Sequence, residues 1–172
     1  MLEALFNIDY IDHYAVIVRD LEKSRDFHIK SLGFSVKNTY ELQTSEQAIG
    51  NDTVAIVLTK EYADRTAICV INQPLNVHSL LNRHIREHGE GIHHIAYSVK
   101  NIECEFDKGL NNHIDFTSNK IIFDPVNRLK QIFIDKKYTG YFIELIQRDN
   151  LSSEDIALFS SHNIRELIMG TV

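Results

Sequence analysis

Among the residues of this 172-residue chain that could do chemistry, nine are histidines and one is a carboxylate set in an apolar run. Glu144 lies inside Phe142-Ile143-Glu144-Leu145-Ile146, where burying an unpartnered carboxylate would be costly. A cation removes that cost, and two imidazoles would complete its ligands. The chain itself selects two of the histidines. His13 in Ile11-Asp12-His13-Tyr14-Ala15-Val16 and His94 in Ile92-His93-His94-Ile95-Ala96-Tyr97 occupy matching places in two similar segments, 81 positions apart. Two histidines and one carboxylate that leave coordination positions open form the facial triad of non-heme Fe(II) oxygenases.

Each residue alone has an ordinary explanation. A single histidine on a strand is more often a hydrogen-bonded core residue than a ligand, and a buried glutamate usually has an arginine or lysine partner. It is their shared place in a repeat that points to a metal. The remaining histidines compete poorly. His84 and His88 are four apart, as in a zinc-protease helix, but Glu87 is in the wrong place for H-E-x-x-H. His28, His78, His113 and His162 have no companions, so all six read as solvated or structural. His93 adjoins His94, and strand alternation predicts that it points to the other face or stays outside the ligand shell.

These side chains need elements to hold them. Each copy opens as an apolar, β-rich strand and then reaches Asp20 or Asn101, natural helix N-caps, with helical segments over 21–31 and 102–111. The copies also close alike: Ala67-Ile68-Cys69-Val70-Ile71-Asn72-Gln73 matches Tyr141-Phe142-Ile143-Glu144-Leu145-Ile146-Gln147, 74 positions on. Strand-like runs at 34–42, 53–59, 114–123 and 129–134 fill the interiors. Each copy therefore reads strand, helix, strand, strand, strand. Val77, Leu80, Leu81 and Ile85 give the linker a helical spacing. After Arg148, Ser152 and Asp155 resemble a capping box ahead of a last helix carrying Ile156, Phe159, Ile164 and Leu167. The expectation is a single α+β domain over 1–172: two βαβββ modules, at about 8–74 and 91–148, joined by a helix at about 75–90 and followed by a helix at about 152–168. The modules would form a cupped, metal-binding pair of half-barrels.

Composition narrows the partners. Hydrophobic residues make up 44% and charged residues 24%, ordinary for a globular chain, and the formal net charge is −6. Lys and Arg form no stripe, which argues against a nucleic-acid surface. No apolar run is long enough to span a membrane. The start, Met1-Leu2-Glu3-Ala4, does not read as a signal peptide. Cys69 and Cys104 share no metal or redox spacing, so the reading places the chain in a reducing cytoplasm.

At these residues the chain resembles the vicinal oxygen chelate superfamily, and within it the C-terminal catalytic domain of the 4-hydroxyphenylpyruvate dioxygenases. Ile11-Asp12-His13 with Leu32-Gly33-Phe34 is similar to that domain's opening strand and its L-G-F. Val70-Ile71-Asn72-Gln73-Pro74 resembles P-I-N-E-P, and Gly89-Glu90-Gly91-Ile92-His93-His94-Ile95-Ala96 resembles G-x-G-V-Q-H-I-A. Gln131-Ile132-Phe133 and Phe142-Ile143-Glu144-Leu145-Ile146-Gln147-Arg148 resemble Q-I-F and F-x-E-I-I-Q-R. The resemblance spans roughly residues 8–168. It departs at position 70 (Val for Pro), at position 93 (His for Gln) and in the closing helix, where Asp155 takes the place of an aromatic wall.

The resemblance implies that His13, His94 and Glu144 hold Fe(II), or another divalent metal, as the catalytic centre. It implies that Asn72, Gln131, Phe133 and Phe159 line the substrate pocket, and that the last helix packs over the cavity mouth with Phe159 and Ile164 inward. Lyases and epimerases of the superfamily place a fourth ligand, Glu or Gln, where this chain has Val70. Three protein ligands favour oxygen chemistry. The expected function is an Fe(II)-dependent dioxygenase that takes a small 2-oxo acid other than 4-hydroxyphenylpyruvate, together with dioxygen. The alternatives are a metal-dependent isomerase, epimerase or lyase, and a small-molecule-binding protein without catalysis. A homodimer is left open.

Overall fold

The computed structural model of the chain describes residues 3–149 and 159–171. Its order is β1 (Tyr10–Ile17), α1 (Leu21–Leu32), β2 (Ser35–Leu42), β3 (Thr53–Glu61), β4 (Thr66–Pro74), α2 (Leu80–His88), β5 (Gly91–Ser98), α3 (Ile102–Asn111), β6 (Ile122–Asp124), β7 (Leu129–Ile134), β8 (Phe142–Arg148) and α4 (Ser161–Thr171). A 3-10 turn, Lys136–Tyr138, precedes β8. This is the α+β arrangement of two βαβββ modules with a helix at the C-terminal end.

The strands form one sheet in the order β2-β3-β4-β1-β5-β8-β7-β6. Within each module the first strand pairs in parallel with the last, β1 with β4 and β5 with β8, and the modules meet where β1 runs antiparallel to β5. The repeat read from sequence is reproduced in register. His13 pairs with Ile68 as His94 pairs with Phe142, and Ala15 with Val70 as Ala96 with Glu144.

The helix starts repeat too. Asp20 accepts from the Lys23 amide at 2.9 Å, and Asn101 from the Cys104 amide at 3.0 Å. Gln73 accepts from the Leu21 amide at 2.7 Å, and Gln147 from the Ile102 amide at 2.8 Å. Each helix thus has two otherwise orphaned N–H groups satisfied. Gly33 closes α1 at φ 76°, a left-handed conformation that glycine takes without a Cβ clash.

α1 and α3 cover one face of the sheet, over Leu58, Cys69 and Ile71 in the first module and Ile132, Ile134 and Leu145 in the second. The cupped face carries Ala15, Ile17, Val57, Ile68, Val70 and Ile146, roofed by Leu81 and Ile85 of α2 and by Phe159, Ile164 and Ile168. Each fully buried aliphatic of this size contributes roughly 1.5–3 kcal/mol of burial free energy.

Two elements differ from the sequence reading. The run at 114–123 is not a strand: only Ile122–Asp124 pairs as one, and Phe116 makes an isolated bridge to Ile134. His113 at φ 57° breaks extension just before it, and polar Asp115, Ser118 and Asn119 interrupt the apolar alternation. Within the span expected for the last helix, Phe159 and Ser160 are not helical, and the helix among the described residues is Ser161–Thr171. Ser160 caps it, its hydroxyl accepting from the Asn163 amide at 3.0 Å while its own amide donates to Asp124 at 3.1 Å. Ser152, Asp155 and Ile156 lie outside the described residues.

Candidate metal centre

The cupped face brings together the three side chains singled out by the repeat. His13 comes from β1, His94 from β5 and Glu144 from β8, and all three are buried. His13 Nε2 lies 3.2 Å from His94 Nε2 and 3.4 Å from Glu144 Oε2, and His94 Nε2 lies 3.2 Å from Glu144 Oε2. Ligands at about 2.1 Å from a divalent ion stand about 3.0 Å apart at octahedral angles and about 3.4 Å apart at tetrahedral ones. The triangle therefore has the size a metal requires. Among the described residues no donor reaches buried Glu144 Oε2 at hydrogen-bond geometry, although two imidazole nitrogens lie within 3.4 Å; a native fold rarely leaves such a group so unless something else satisfies it.

The surroundings orient each ligand. Asp12 Oδ1 is 2.8 Å from His13 Nδ1, which makes Nδ1 the donor and turns the free Nε2 pair inward. Arg148 grips Asp12 in bidentate fashion, Nε to Oδ2 at 2.7 Å and Nη2 to Oδ1 at 2.9 Å, and its guanidinium lies over the Phe159 ring. Gln131 Nε2 donates to Glu144 Oε1 at 2.6 Å, and Asn163 Nδ2 of α4 donates to Gln131 Oε1 at 2.6 Å. His93 Nδ1 lies 2.9 Å from His94 Nδ1.

Charge in this pocket is shared. Burial opposes a charged His13, yet the Glu144 and Asp12 carboxylates outweigh it and raise its pKa to about 9. Burial pushes His94 down to about 4 against the pull of Glu144. Burial also works against an ionised Asp12, but Arg148 and His13 hold its carboxyl well below the usual range. Glu144 is lowered too, because His13 and His94 overcome its burial. A proton on His13 thus does part of what a cation would do for all three side chains.

Of the other residues read from sequence, Asn72, Phe133 and Phe159 line the cavity beside the triad. Phe133 meets the His94 ring edge-on at 5.1 Å, and Phe159 meets His13 at 5.2 Å. Asn72 Oδ1 is buried without a partner. Gln131 is not in that lining; its amide is spent between Glu144 and Asn163. The wall facing the triad from α4 is Ile164, Leu167 and Ile168, and Asp155 lies outside the described residues. With α4 in place the cavity is about 40 Å³, room for about three waters.

His93 corrects the reading from alternation. It lines the same cavity as His94 and is 4% exposed. The β1–β5 register jumps from Ala15–His94 to Val16–Ile92, so His93 is the extra residue of a bulge and alternation fails there. A second bulge lies at Asp12, between the Ile11–Tyr97 and His13–Ala96 pairs. Asp12 and His93 are 81 positions apart like their histidine neighbours, and this equivalence is the signal that could have found both. Of the six set-aside histidines, His28 packs beside Phe34 and Cys69, and His84 is buried on α2 with its ring 5.0 Å from His93.

A family model for the "Glyoxalase/Bleomycin resistance protein/Dioxygenase superfamily" matches residues 12–125. No curated protein matches the sequence significantly. Among solved structures, a methylmalonyl-CoA epimerase from Streptomyces coelicolor with 2-nitronate-propionyl-CoA is 18% identical, covers 84% of this chain and 100% of its own, and has a TM-score of 0.66. The methylmalonyl-CoA epimerase from Mycobacterium tuberculosis is 17% identical, with 87% and 94% covered and a TM-score of 0.66. At these identities the likeness concerns the fold.

Proposed function

This chain belongs to the glyoxalase/bleomycin resistance protein/dioxygenase superfamily, and from that premise we propose that it is a metal-dependent enzyme in which His13, His94 and Glu144 hold one divalent ion for a small substrate that binds through two neighbouring oxygens. The observation that carries the reading is Glu144 Oε2, buried, without a donor at hydrogen-bond geometry among the described residues, and within 3.4 Å of two imidazole nitrogens. When bound, the ion supplies a Lewis acid that polarises the substrate's oxygens and, if it is iron, a place for dioxygen.

The chain's own part is positioning. Asp12 and His93 set the two imidazoles, Gln131 sets the carboxylate, and Arg148 anchors Asp12. Ile164, Leu167, Ile168 and Phe159 wall the cavity with apolar surface, and limiting water there strengthens the electrostatic contacts inside it. Asn72 Oδ1 is free to accept a hydrogen bond from a substrate hydroxyl or amide.

Two finer readings rest on different observations. The first is isomerase or epimerase chemistry, in which a carbonyl is polarised and a proton is exchanged at the adjacent carbon. It is supported by the two solved structures of like fold named above, which are methylmalonyl-CoA epimerases. It asks the cavity for a proton acceptor, and the titratable side chains lining it are His13, His93 and His94, with Glu144 behind the two ligand imidazoles. The second is dioxygenase chemistry on a 2-oxo acid. It is supported by Val70, an apolar residue where a fourth ligand would otherwise narrow the open positions.

One paired assay separates them. Metal-loaded protein in D₂O with a panel of thioesters and 2-oxo acids should incorporate deuterium beside the carbonyl if it is an isomerase. Anaerobic Fe(II)-loaded protein with the same 2-oxo acids should develop a charge-transfer band and then consume oxygen if it is a dioxygenase. An ion-loaded protein that does neither overturns the enzymatic reading.

A further inference from the structure

We infer that His93 and Thr171 are positioning residues, forming a directional hydrogen-bond chain that ties the C-terminal end of α4 to the metal ligand His94. The inference rests on the metal reading of the His13–His94–Glu144 site. Its geometry is continuous: His94 Nδ1 to His93 Nδ1 at 2.9 Å, His93 Nε2 to Thr171 Oγ1 at 3.2 Å, and Thr171 Oγ1 to the carbonyls of Ile168 and Leu167 at 3.1 and 3.2 Å. All three side chains are buried, and leaving such a donor or acceptor without its partner is costly.

Proton counting then fixes the direction. A neutral imidazole has one donor and one acceptor nitrogen. If His94 Nε2 gives its lone pair to an ion, the ring proton is on Nδ1 and can only be donated to His93 Nδ1. His93 must then carry its proton on Nε2 and donate it to Thr171 Oγ1. The threonine hydroxyl in turn donates to a carbonyl of its own helix. Every donor and acceptor in the line is used once.

Without the ion, His94 Nε2 can carry the proton and face Glu144 Oε2, as the Nε2–H of the charged His13 does, and a neutral His94 then accepts at Nδ1. His93 then carries its proton on Nδ1, and its Nε2 accepts from the Thr171 hydroxyl. Binding the ion therefore reverses the donors along the chain, and the last turn of α4 is where the reversal is felt.

This arrangement differs from the other half of the site. His13 is held by the Asp12 carboxylate, which can only accept and cannot reverse. The bulge that puts His93 inside the cavity is what makes the chain possible, since regular alternation would send its ring to the opposite face. Gln can imitate a histidine here, with an oxygen to accept from His94 and an amide to donate to Thr171. Leu can do neither.

The test compares ion affinity and tautomer across variants. Co(II) and Zn(II) affinities would be measured for wild type, His93→Gln, His93→Leu, Thr171→Ser and Thr171→Val, with circular dichroism to confirm folding. ¹⁵N NMR of the histidine rings would be recorded without and with Zn(II). Wild type should show His93 changing from the Nδ1–H to the Nε2–H form on binding. His93→Leu should lose about 10- to 100-fold in affinity, the range for removing a group that orients a metal-bound histidine. His93→Gln and Thr171→Ser should stay near wild type, and Thr171→Val should fall between. Wild-type affinity in folded His93→Leu, or an unchanged His93 tautomer on binding, overturns the chain while leaving the metal site standing. A wild-type protein that binds neither ion overturns both. If His93→Leu fails to fold, the tautomer change in wild type and the Thr171→Val against Thr171→Ser comparison decide the matter.

Discussion

Val70 and Glu144 occupy the same place in the two halves of the sheet: Val70 pairs with Ala15 as Glu144 pairs with Ala96. Both are buried, and Val70 lines the cavity that Glu144 backs. The site is therefore one-sided, with a carboxylate from one module and an isopropyl group from the other.

Val70→Glu tests this asymmetry. Without metal, a second buried carboxylate beside Glu144 should destabilise the fold by several kcal/mol, since it has no donor there. With Zn(II) or Co(II) much of that loss should return, as the new carboxylate becomes a fourth ligand. Oxygen uptake, if the wild type has it, should fall sharply, whereas proton exchange should survive. Melting curves with and without metal make the measurement; the same loss in both conditions would show that position 70 cannot reach the ion.

Asp12 and Arg148 form a buried pair on which the orientation of His13 depends. Asp12→Ala leaves a buried guanidinium without its partner, a change that typically costs about 3–5 kcal/mol. Chemical denaturation should show a loss of that order. A loss under about 1 kcal/mol would mean that the pair is solvated and does not hold His13.

The repeat makes a prediction about folding stability. Asp20 and Asn101 are equivalent N-caps on α1 and α3. Replacing either with Ala should cost about 1 kcal/mol, and the double variant about the sum, because distant sites add. Denaturant midpoints test it; one replacement without effect would show that the two caps are not equivalent in energy.

His84 gives the pH dependence. Its burial, then the charges of His88 and Lys136, push its pKa from 6.5 to about 4. The folded chain thus prefers His84 neutral. Its contribution to stability is full above pH 6.5 and is lost as pH falls toward 4. The gap in Tm between wild type and His84→Gln should therefore shift against the wild type between pH 7 and pH 4. A gap that stays constant over that range contradicts the assignment.

Much of this architecture could be read before the structure, and the reasons are specific. The shifts of 81 and 74 positions between matched segments anticipated the register of β1 with β4 and of β5 with β8. That register is what brings His13, His94 and Glu144 together. What escaped were departures from regular periods. The bulges at Asp12 and His93 break alternation without changing composition, so alternation could not show that His93 and His94 share one cavity. The start of α4 depends on Ser160 and Asp124, which are distant in sequence. The run at 114–123 has strand-like composition but pairs only at its end. The resemblance implied a pocket role for Gln131; its link to Asn163, which joins β7 to α4, is a contact no local pattern encodes.

The most direct test of the account is the metal content of wild type and of three single variants, His13→Ala, His94→Ala and Glu144→Ala, after loading with Fe(II), Co(II) or Zn(II) and removal of excess ion. The account predicts about one ion per wild-type chain and a sharp fall in each variant, with folding intact by circular dichroism. Near-full occupancy in all three variants, or a wild-type protein that retains no ion, would contradict it.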